Sequence, residues 1–307
     1  MHNIFIDGSA GTTGLELANR LKLRDDVRIL EISDADRKNA EARKRLINQS
    51  DLTFLCLPDD AAREAVALVD NERTKIIDAS TAHRTVEGWA YGLPELSDAH
   101  FEAIRRGNRI AVPGCHAGGF VALVYPLIKS GLVSADYPFT CFSLTGYSGG
   151  GKAMIAQYGQ AEADSEYSAP RQYGLAQNHK HLKEMTAVPG LTRPPVFCPV
   201  VSNYYRGMEV TVPLVSAFAG GITLAGVREV FKEHYRRAKL ISVKNEDTAF
   251  LAANKLKNKN NLEIYIFGND DRIILTAVFD NLGKGASGAA VQCMNIALGM
   301  DETTGLI

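Results

Sequence analysis

The chain has 307 residues, of which 46% are hydrophobic and 22% charged, and its formal net charge is -1. These values are typical of a soluble globular protein of one or two domains, and they exclude bulk electrostatic attraction to nucleic acid or to an anionic membrane. With no apolar run of membrane-spanning length, and a first strand that begins next to Met1, we expect no signal peptide and a cytoplasmic protein. The cysteines are widely spaced and form no CxxC, which argues against a disulfide framework and a structural zinc site; they are Cys56, Cys115, Cys141, Cys198 and Cys293.

The first third of the chain predicts short apolar strands that alternate with helices. Strands are predicted at 3–6, 27–32, 51–57, 75–78 and 109–112, and helices at 15–23 and 60–69. This alternation is the pattern of βαβ units. It predicts a doubly wound parallel sheet with a ligand crevice at the carboxyl ends of its strands.

Beyond about residue 130 the strands become longer and richer in β-branched residues. Thr223 is predicted to cap a helix that runs to Arg237, and a helix of small residues follows Gly288. Strands are predicted at 196–201, 208–215, 263–267 and 272–279, with a hairpin turn at 268–271. We therefore predict an α/β protein: a Rossmann-type domain of residues 1–116 plus 283–307, and an inserted α+β domain of residues 117–282 with a mixed or antiparallel sheet.

A glycine-rich turn separates the first strand from the first helix. Glycines in a G-x-x-G-x-x-G pattern allow a tight turn and let the backbone approach a pyrophosphate, which the helix N-terminus then binds. The alternative is a turn that needs glycine for packing alone. The predicted cofactor loop consists of Gly8, Ser9, Ala10, Gly11, Thr12, Thr13 and Gly14.

The residues after the second strand bear on which dinucleotide binds. An acidic side chain about 20 residues beyond the glycines would bind the ribose of NAD, whereas a hydroxyl and a guanidinium suit the 2′-phosphate of NADP. Ser33, Arg37 and Lys38 favour NADP, while Asp34 and Asp36 weaken that inference. The alternative is that these residues form only a solvated loop.

Cys115 follows a predicted strand and the turn Pro113-Gly114, and it precedes the apolar run 120–125, which is typical of a buried helix. A cysteine at a helix N-terminus meets unpaired amides and the positive end of the helix dipole. Both favour a thiolate, and the same amides could hold an oxyanion. The alternative is a small buried hydrophobic residue. The context favours a nucleophile.

His179 and His181 form the second catalytic candidate. A histidine beside a cysteine can activate the thiol and shuttle protons. Residues two apart on a helix face different directions, so only one of the pair is expected to meet the thiolate. A metal site would need further ligands that the sequence does not show, and a surface histidine pair is the alternative.

Two further segments could bind anions. Arg84, after the fourth strand, is a candidate anion clamp or else a surface arginine. The segment from Ser148 to Lys152 could form a backbone nest for phosphate or a flexible turn. It lacks the spacing of a P-loop, which excludes nucleotide hydrolysis.

Together these segments resemble the N-acetyl-γ-glutamyl-phosphate reductases, relatives of the aspartate-semialdehyde dehydrogenases. The short length and the histidine that follows Cys115 are similar to the shorter subgroup of that family. One position departs from the pattern: Gly118 stands where the family commonly has a hydroxyl residue. The matching segments follow the family's order along nearly the whole chain; they are 8–14, 78–84, 92–96, 112–115, 148–152, 178–184 and 281–288.

The resemblance implies an enzyme that reduces N-acetyl-L-glutamyl 5-phosphate to N-acetyl-L-glutamate 5-semialdehyde with NADPH, through a cysteine thioester, in arginine biosynthesis. It implies a homo-oligomer, dimer or tetramer, without a metal. It places the nucleophile on Cys115 and the acid–base group on His181, with Arg84 and His179 toward the substrate. Further cofactor contacts are expected from Ser33, Arg37, Ser80, Ser148, Gly149 and Asn281.

Two other functions fit the same residues. One is a reductase of a related acyl phosphate, aspartyl or aminoadipyl phosphate. The other is a non-catalytic regulator that binds the cofactor. An intact Cys115 together with His181 argues against the regulator.

Overall fold

The structure, a computed structural model, describes residues 1–162, 165–246 and 248–307. These residues form two compact units. Unit 1 comprises Met1–Pro113 and Ala286–Ile307, and unit 2 comprises Gly114–Gly285. Unit 2 is thus inserted in the sequence of unit 1, and the two boundaries fall at 113/114 and 285/286, where the sequence predicts 116/117 and 282/283.

Unit 1 alternates strands and helices. Its elements before the insertion are β1 His2–Asp7, α1 Thr12–Leu21, β2 Val27–Leu30, α2 Ala40–Gln49, β3 Leu52–Leu55, α3 Asp59–Ala67, β4 Lys75–Asp78, β5 Ala90–Tyr91, α4 Asp98–Arg106 and β6 Arg109–Ala111. The strands form one sheet in the order β2-β1-β3-β4-β6-β5, and every neighbouring pair is parallel. The predicted doubly wound sheet is confirmed.

The central strands of this sheet are apolar on both faces. Ile4, Phe5, Phe54 and Ile76 are almost completely buried, as expected of parallel strands covered by helices on both sides. The second strand is shorter than predicted, because it ends at Leu30 and not at residue 32. The residues beyond it therefore lie outside the sheet.

Unit 2 is an α+β unit with a mixed sheet, as predicted. Its elements are α5 Cys115–Lys129, β7 Thr140–Gly146, α6 Gly151–Gln160, β8 Arg171–Gln172, α7 Leu182–Ala187, β9 Val196–Ser202, β10 Met208–Val215, α8 Leu224–His234, β11 Ile241–Lys244, β12 Leu262–Gly268 and β13 Arg272–Phe279. The sheet order is β11-β12-β13-β10-β7-β9-β8, and it combines parallel pairs such as β7–β9 with antiparallel pairs such as β10–β13. A π-helical turn, Gly283–Ser287, leads to α9, Gly288–Ala297, in unit 1.

Helices α5 and α8 pack on one face of this mixed sheet. Helix α5 lies close to the strands because it carries Gly119, where a Cβ would sit 2.6 Å from a methyl of Val210. Its apolar residues, Phe120 to Val124, are fully buried. This packing fixes the helix whose first residue is Cys115.

Among the described residues, no helix has the length and apolar character needed to cross a membrane.

Candidate active site

Cys115 is the first residue of α5, as the sequence predicts. Gly114 occupies the N-cap with an extended backbone, φ -67° and ψ 144°, and no side chain caps the helix. The first amides of a helix have no partner within the helix itself, so they attract negative charge. The Cys115 side chain therefore stands where a thiolate and an oxyanion are both stabilised.

A buried carboxylate fixes the turn that precedes the cysteine. Glu184, on α7, is 1% exposed, and its Oε2 accepts a hydrogen bond of 3.1 Å from the amide of Gly114. A hydrogen bond to a charged group contributes about 1.5–3 kcal/mol, more than one between neutral groups. Glu184 thereby ties α7, and the histidine segment before it, to the start of α5.

His116, the residue after the nucleophile, is buried in a polar network. Its Nδ1 lies 2.7 Å from Oγ of Ser143 on β7, and its Nε2 lies 2.6 Å from the hydroxyl of Tyr173. Burial, reinforced by the nearby His179, lowers the pKa of His116 to about 3. The imidazole is therefore neutral at physiological pH, with one nitrogen as donor and one as acceptor.

Tyr173 is linked to both His116 and the nucleophile. Burial first, and the charge of Cys115 second, raise the pKa of its hydroxyl well above the ordinary value. The hydroxyl therefore stays protonated and can donate one hydrogen bond. The sequence offered no signal for Tyr173 or Ser143, because both are brought to the site by the sheet of unit 2; His116 could have been found from its position beside the cysteine.

The rings of His179 and His181 lie together. Their centroids are 4.7 Å apart, and they lie 6.0 Å and 5.7 Å from the ring of His116. The premise that one helix carries both residues is wrong, because α7 begins only at Leu182 and His179 precedes it. Which of the two rings meets Cys115 stays a prediction. Both side chains therefore join the cluster around His116.

The two histidines differ in their hydrogen bonds and burial. The backbone amide of His181 donates to Nδ1 of His179 over 3.2 Å. A neutral His179 therefore carries its proton on Nε2, and a protonated ring would set two N–H groups against each other. His181 is buried, with 6% exposure, at the start of α7. His181 is therefore the more deeply buried of the two residues.

The thiols of the chain are not equivalent. Burial, followed by the carboxylates of Asp78 and Asp7, raises the pKa of Cys56 to about 12, and burial raises that of Cys141 well above its ordinary value. Cys293 is buried and donates to the carbonyl of Gly92 over 3.5 Å. Cys115 retains some exposure at a helix start, which is the setting of a reactive cysteine.

The glycines of the first βα turn have separable roles. Gly8 has φ +89°, and a Cβ at Gly8 would lie 2.4 Å from the carbonyl oxygen of Cys56. A Cβ at Gly14 would lie 2.4 Å from the carbonyl oxygen of Gly8. Packing therefore requires both. At Gly11 a Cβ would meet its nearest atom at 3.4 Å, an ordinary contact, so packing within the protein does not require glycine there.

Gly11 is also the N-cap of α1, and no side chain caps that helix. An uncapped helix start behind a residue without a side chain is the arrangement that binds a pyrophosphate. The turn itself is braced by Asp7 at the end of β1, whose carboxylate pairs with buried Arg43 over 2.9 Å. The residues present thus fit a dinucleotide.

The residues predicted to read a 2′-phosphate bind acidic neighbours. Arg37 pairs with Asp34 over 2.5 Å, and the Ser33 hydroxyl donates to Asp36 over 2.7 Å. Both lie at the surface beyond β2. A phosphate would have to compete with carboxylates for each of them.

Ser80 and Arg84 organise the turn after β4. The Ser80 hydroxyl donates to Asp78 over 2.7 Å and accepts the amide of Ala82 over 3.1 Å. Arg84 donates to the carbonyl oxygens of Val112, over 2.9 Å, and Ala79, over 3.1 Å. Val112 is three residues before Cys115 in the sequence, so Arg84 braces the strand end that leads to the nucleophile.

Ser148, Gly149 and Asn281 come together within unit 2. Asn281 donates to the buried Ser148 hydroxyl over 2.9 Å and accepts the amide of Gly207 over 2.8 Å. A Cβ at Gly149 would face the Asn281 amide nitrogen at 3.6 Å. The segment forms a short 3-10 helix, Tyr147–Gly150, that leads into α6.

Within the described parts of the chain, no group of three or more His, Cys, Asp or Glu residues could hold a metal ion.

Comparison with known proteins gives the class of this fold and site. Residues 3–104 match the semialdehyde dehydrogenase NAD-binding domain, and residues 115–281 match the semialdehyde dehydrogenase dimerisation domain. A solved structure of a probable aspartate-semialdehyde dehydrogenase from Pseudomonas aeruginosa superposes with a TM-score of 0.73 at 16% identity, covering 97% of this chain and 98% of that one. The aspartate-semialdehyde dehydrogenase of Candida albicans, solved with NADP, gives 0.70 at 12% identity, covering 96% and 98%.

Among curated proteins, N-acetyl-gamma-glutamyl-phosphate reductase 2 of a Nostoc species is 43% identical over 318 residues, which cover 99% of this chain and 98% of that protein. The chain therefore belongs to the N-acetyl-γ-glutamyl-phosphate reductase family of the semialdehyde dehydrogenases. It is an oxidoreductase, and its first unit is a binding domain for a nicotinamide cofactor.

Proposed function

We propose that this protein reduces N-acetyl-L-glutamyl 5-phosphate to N-acetyl-L-glutamate 5-semialdehyde and inorganic phosphate, with NADPH as reductant, in arginine biosynthesis. The observation that carries the proposal is the placement of Cys115 at the uncapped start of α5, one residue before a histidine whose ring lies 5.7 Å from that of His181. A nucleophile, an oxyanion site and a proton carrier are the parts that acyl transfer needs.

The reaction begins with covalent capture. The Cys115 thiolate attacks the carbonyl carbon of the acyl phosphate, and the negative charge that forms on oxygen is held by the first amides of α5. The C–O bond to phosphate breaks, phosphate leaves with its electron pair, and a thioester remains on Cys115. Because the phosphate is a dianion, Arg84 is proposed to stabilise it as it leaves.

NADPH, when bound, supplies the hydride that reduces the thioester carbon. His181 then transfers a proton: it protonates the hemithioacetal oxygen, or it removes that proton as the C–S bond breaks. The aldehyde leaves and the Cys115 thiolate is restored. His179 is proposed to bind substrate, because its Nδ1 already accepts the His181 amide.

The cofactor is proposed to bind through the loop from Gly8 to Gly14, with its pyrophosphate at the N-terminus of α1. Gly11 supports this, since packing within the protein does not require glycine there. Arg37 and Ser33 are proposed to read the 2′-phosphate. Ser80, Ser148, Gly149 and Asn281 are proposed to shape the remaining contacts with the cofactor.

We further propose that the protein is a homo-oligomer that associates through the open face of the unit 2 sheet. Strand β10 alternates: Val210 and Val212 are buried on the face that packs against α5, while their neighbours point to the other face. The outward residues include exposed apolar side chains on neighbouring strands, namely Phe142, Pro213 and Ile274. An exposed apolar sheet face of this kind is typical of a protein interface. None of the five cysteines forms a disulfide bond, which suits the proposed cytoplasmic enzyme with a thiolate nucleophile.

A direct assay tests the proposed reaction. Purified protein is mixed with NADPH and N-acetylglutamyl phosphate, and loss of NADPH absorbance is followed together with release of phosphate. Equal molar loss of NADPH and release of phosphate is expected, and it should require Cys115. Faster turnover with aspartyl or aminoadipyl phosphate would assign a different substrate. No turnover with any acyl phosphate, in protein that binds the cofactor, would contradict an enzymatic function.

A further inference from the structure

A buried carboxylate holds the turn that lies behind the nucleophile. Asp280 is the first residue beyond β13, and its side chain is completely buried. Its Oδ1 accepts the backbone amides of Leu282, over 2.8 Å, and of Gly283, over 3.2 Å. Its carbonyl oxygen accepts the amide of Gly285 over 2.9 Å. One residue thus directs the chain into the π-helical turn that starts at Gly283.

The other carboxylate oxygen of Asp280 binds two further segments of unit 2. Arg206, between β9 and β10, places its Nε 2.6 Å from Oδ2 of Asp280, and the arginine side chain is only 13% exposed. The same oxygen accepts the backbone amide of Asn258. A buried charge needs an opposite charge and a full set of hydrogen bonds, and Asp280 has both. The carboxylate therefore joins three segments that are far apart in the sequence.

The turn is packed closely against its neighbours. A Cβ at Gly283 would lie 2.1 Å from the carbonyl oxygen of Lys259, so only glycine permits the approach of the segment that carries Asn258. A Cβ at Gly285 would lie 3.1 Å from Cβ of Cys115. Because there is little free space on either contact, a displacement of the turn reaches the nucleophile.

The chemistry proposed above does not explain why an ion pair is buried here. No step of the reaction uses a charge on Asp280 or Arg206. Apolar side chains of similar volume often stabilise a core as well as a buried ion pair does. Apolar contacts have no direction, however, whereas the oxygens of Asp280 accept from donors at fixed positions. The pair is therefore best explained by the turn that it fixes.

We propose that Asp280 and Arg206 are positioning residues for the nucleophile. Their ion pair holds the π-helical turn against Cys115 and thereby keeps the cysteine side chain at the first amides of α5. Both residues act through Gly285 and take no part in a bond-making step. The proposal rests on Cys115 as the nucleophile of the proposed function, but the reactivity of its thiol is measured without any acyl phosphate.

Alkylation by iodoacetamide over a range of pH tests the proposal, with the extent of reaction at Cys115 read by peptide mass spectrometry. Asp280→Asn keeps an oxygen for the turn amides but loses the charge that pairs with Arg206. In Asp280→Asn and Arg206→Met the pH of half-maximal alkylation should rise by about half a unit or more, because the thiolate loses its fixed place at the helix start. Arg206→Lys, which keeps the charge but not the planar guanidinium, should show a smaller rise and serves where the other variants do not fold.

Steady-state kinetics give a second measurement. In Asp280→Asn kcat should fall by about ten- to hundredfold, because a displaced nucleophile attacks less often. KM should change by less than about threefold, since the groups that bind the substrate are intact.

The matched control is Arg24→Met, which breaks the ion pair of a buried arginine, 7% exposed, with Asp26 in unit 1. In urea unfolding it should lose stability as Arg206→Met does, but its alkylation profile and kcat should match the wild type. The same alkylation shift in Arg24→Met would overturn the proposal, because general loosening would then explain it. Wild-type alkylation profiles in Asp280→Asn and Arg206→Met would overturn it as well. Absence of turnover in a wild type whose Cys115 is alkylated would instead contradict the proposed reaction, and the alkylation profiles would still decide the positioning role.

Discussion

Nε2 of His116 lies 2.6 Å from the hydroxyl of Tyr173, and this contact joins the residue after the nucleophile to a tyrosine 57 positions further along the chain. Both groups are held in their neutral forms, because burial lowers the pKa of the imidazole and raises that of the phenol. The contact is therefore a hydrogen bond between uncharged groups across the physiological pH range. It fixes the Tyr173 hydroxyl, whose pKa the charge of Cys115 also raises, without adding a charge of its own.

The first prediction is a loss of stability on mild acidification. The unfolded chain protonates His116 near its ordinary pKa of 6.5, whereas the folded protein does so only near 3. The contribution of His116 is thus complete above pH 6.5 and declines as the pH falls toward 3, by about 1.4 kcal/mol per pH unit. Urea unfolding should show that the wild type loses about 2 kcal/mol more than His116→Asn between pH 7 and pH 5. An equal pH dependence in both proteins would show that His116 is not buried in its neutral form.

The second prediction concerns the nucleophile. Iodoacetamide should inactivate the protein by alkylating Cys115, and the acyl phosphate should protect it. Cys115→Ser should lose several orders of magnitude in kcat while binding NADPH normally. Cys198→Ser is the control, because Cys198 is also partly exposed but lies on β9. Its turnover and rate of inactivation should match the wild type; inactivation that depends on Cys198 would place the reactive thiol elsewhere.

Much of this site could be predicted because its signals are local. The helix start at Cys115 and the turn from Gly8 to Gly14 are encoded by strand, glycine and helix patterns within about ten residues. The approach of His179 to His181 was not predictable in this way. It depends on the point at which α7 begins, because the helix starts only at Leu182 and the two histidines lie before its first residue.

The fold shows the same division between local and long-range information. Strands β4, β10 and β13 have the predicted bounds, since their apolar runs are clearly delimited. Helix α2 carries no clear apolar stripe, because its sequence is rich in charged residues and only a few of its side chains reach the core. It forms because Asn39 caps it, with the side chain accepting the amides of Glu41 and Ala42, and because Arg43 reaches Asp7 in the first strand. That ion pair joins positions 36 apart and leaves no periodic signal.

The third prediction separates the two histidines. His181→Asn should lower kcat by about 10²–10⁴-fold with a smaller effect on KM, because a general acid–base group is lost. It should also change the acidic limb of the pH profile of kcat/KM. His179→Asn should act mainly on KM. In the wild type the His181 amide donates to Nδ1 of His179, and the side-chain oxygen of an asparagine can accept the same hydrogen bond. A larger loss of kcat in His179→Asn than in His181→Asn would exchange the two roles.

The fourth prediction uses a close contact behind the nucleophile. Gly285, in the π-helical turn, is packed so that a Cβ would lie 3.1 Å from both Cβ of Cys115 and the carbonyl oxygen of Asp280. Alanine at this position would press the cysteine forward by a few tenths of an ångström. Gly285→Ala should therefore lower kcat by about tenfold, since small displacements of a reacting group are costly, and destabilise the fold by about 1–3 kcal/mol.

The matched control for that variant is Gly159→Ala, at an exposed position of α6 where a Cβ would meet no atom within 4 Å. In a helix this change should raise the free energy of unfolding by about 0.5–1 kcal/mol and leave turnover unchanged. Steady-state kinetics and urea unfolding of both variants, with the rate of Cys115 alkylation, complete the test. In Gly285→Ala the thiol should still be alkylated, because the helix start that favours the thiolate is intact. Wild-type kcat in Gly285→Ala would mean that the turn yields to the added methyl group and does not set the position of Cys115.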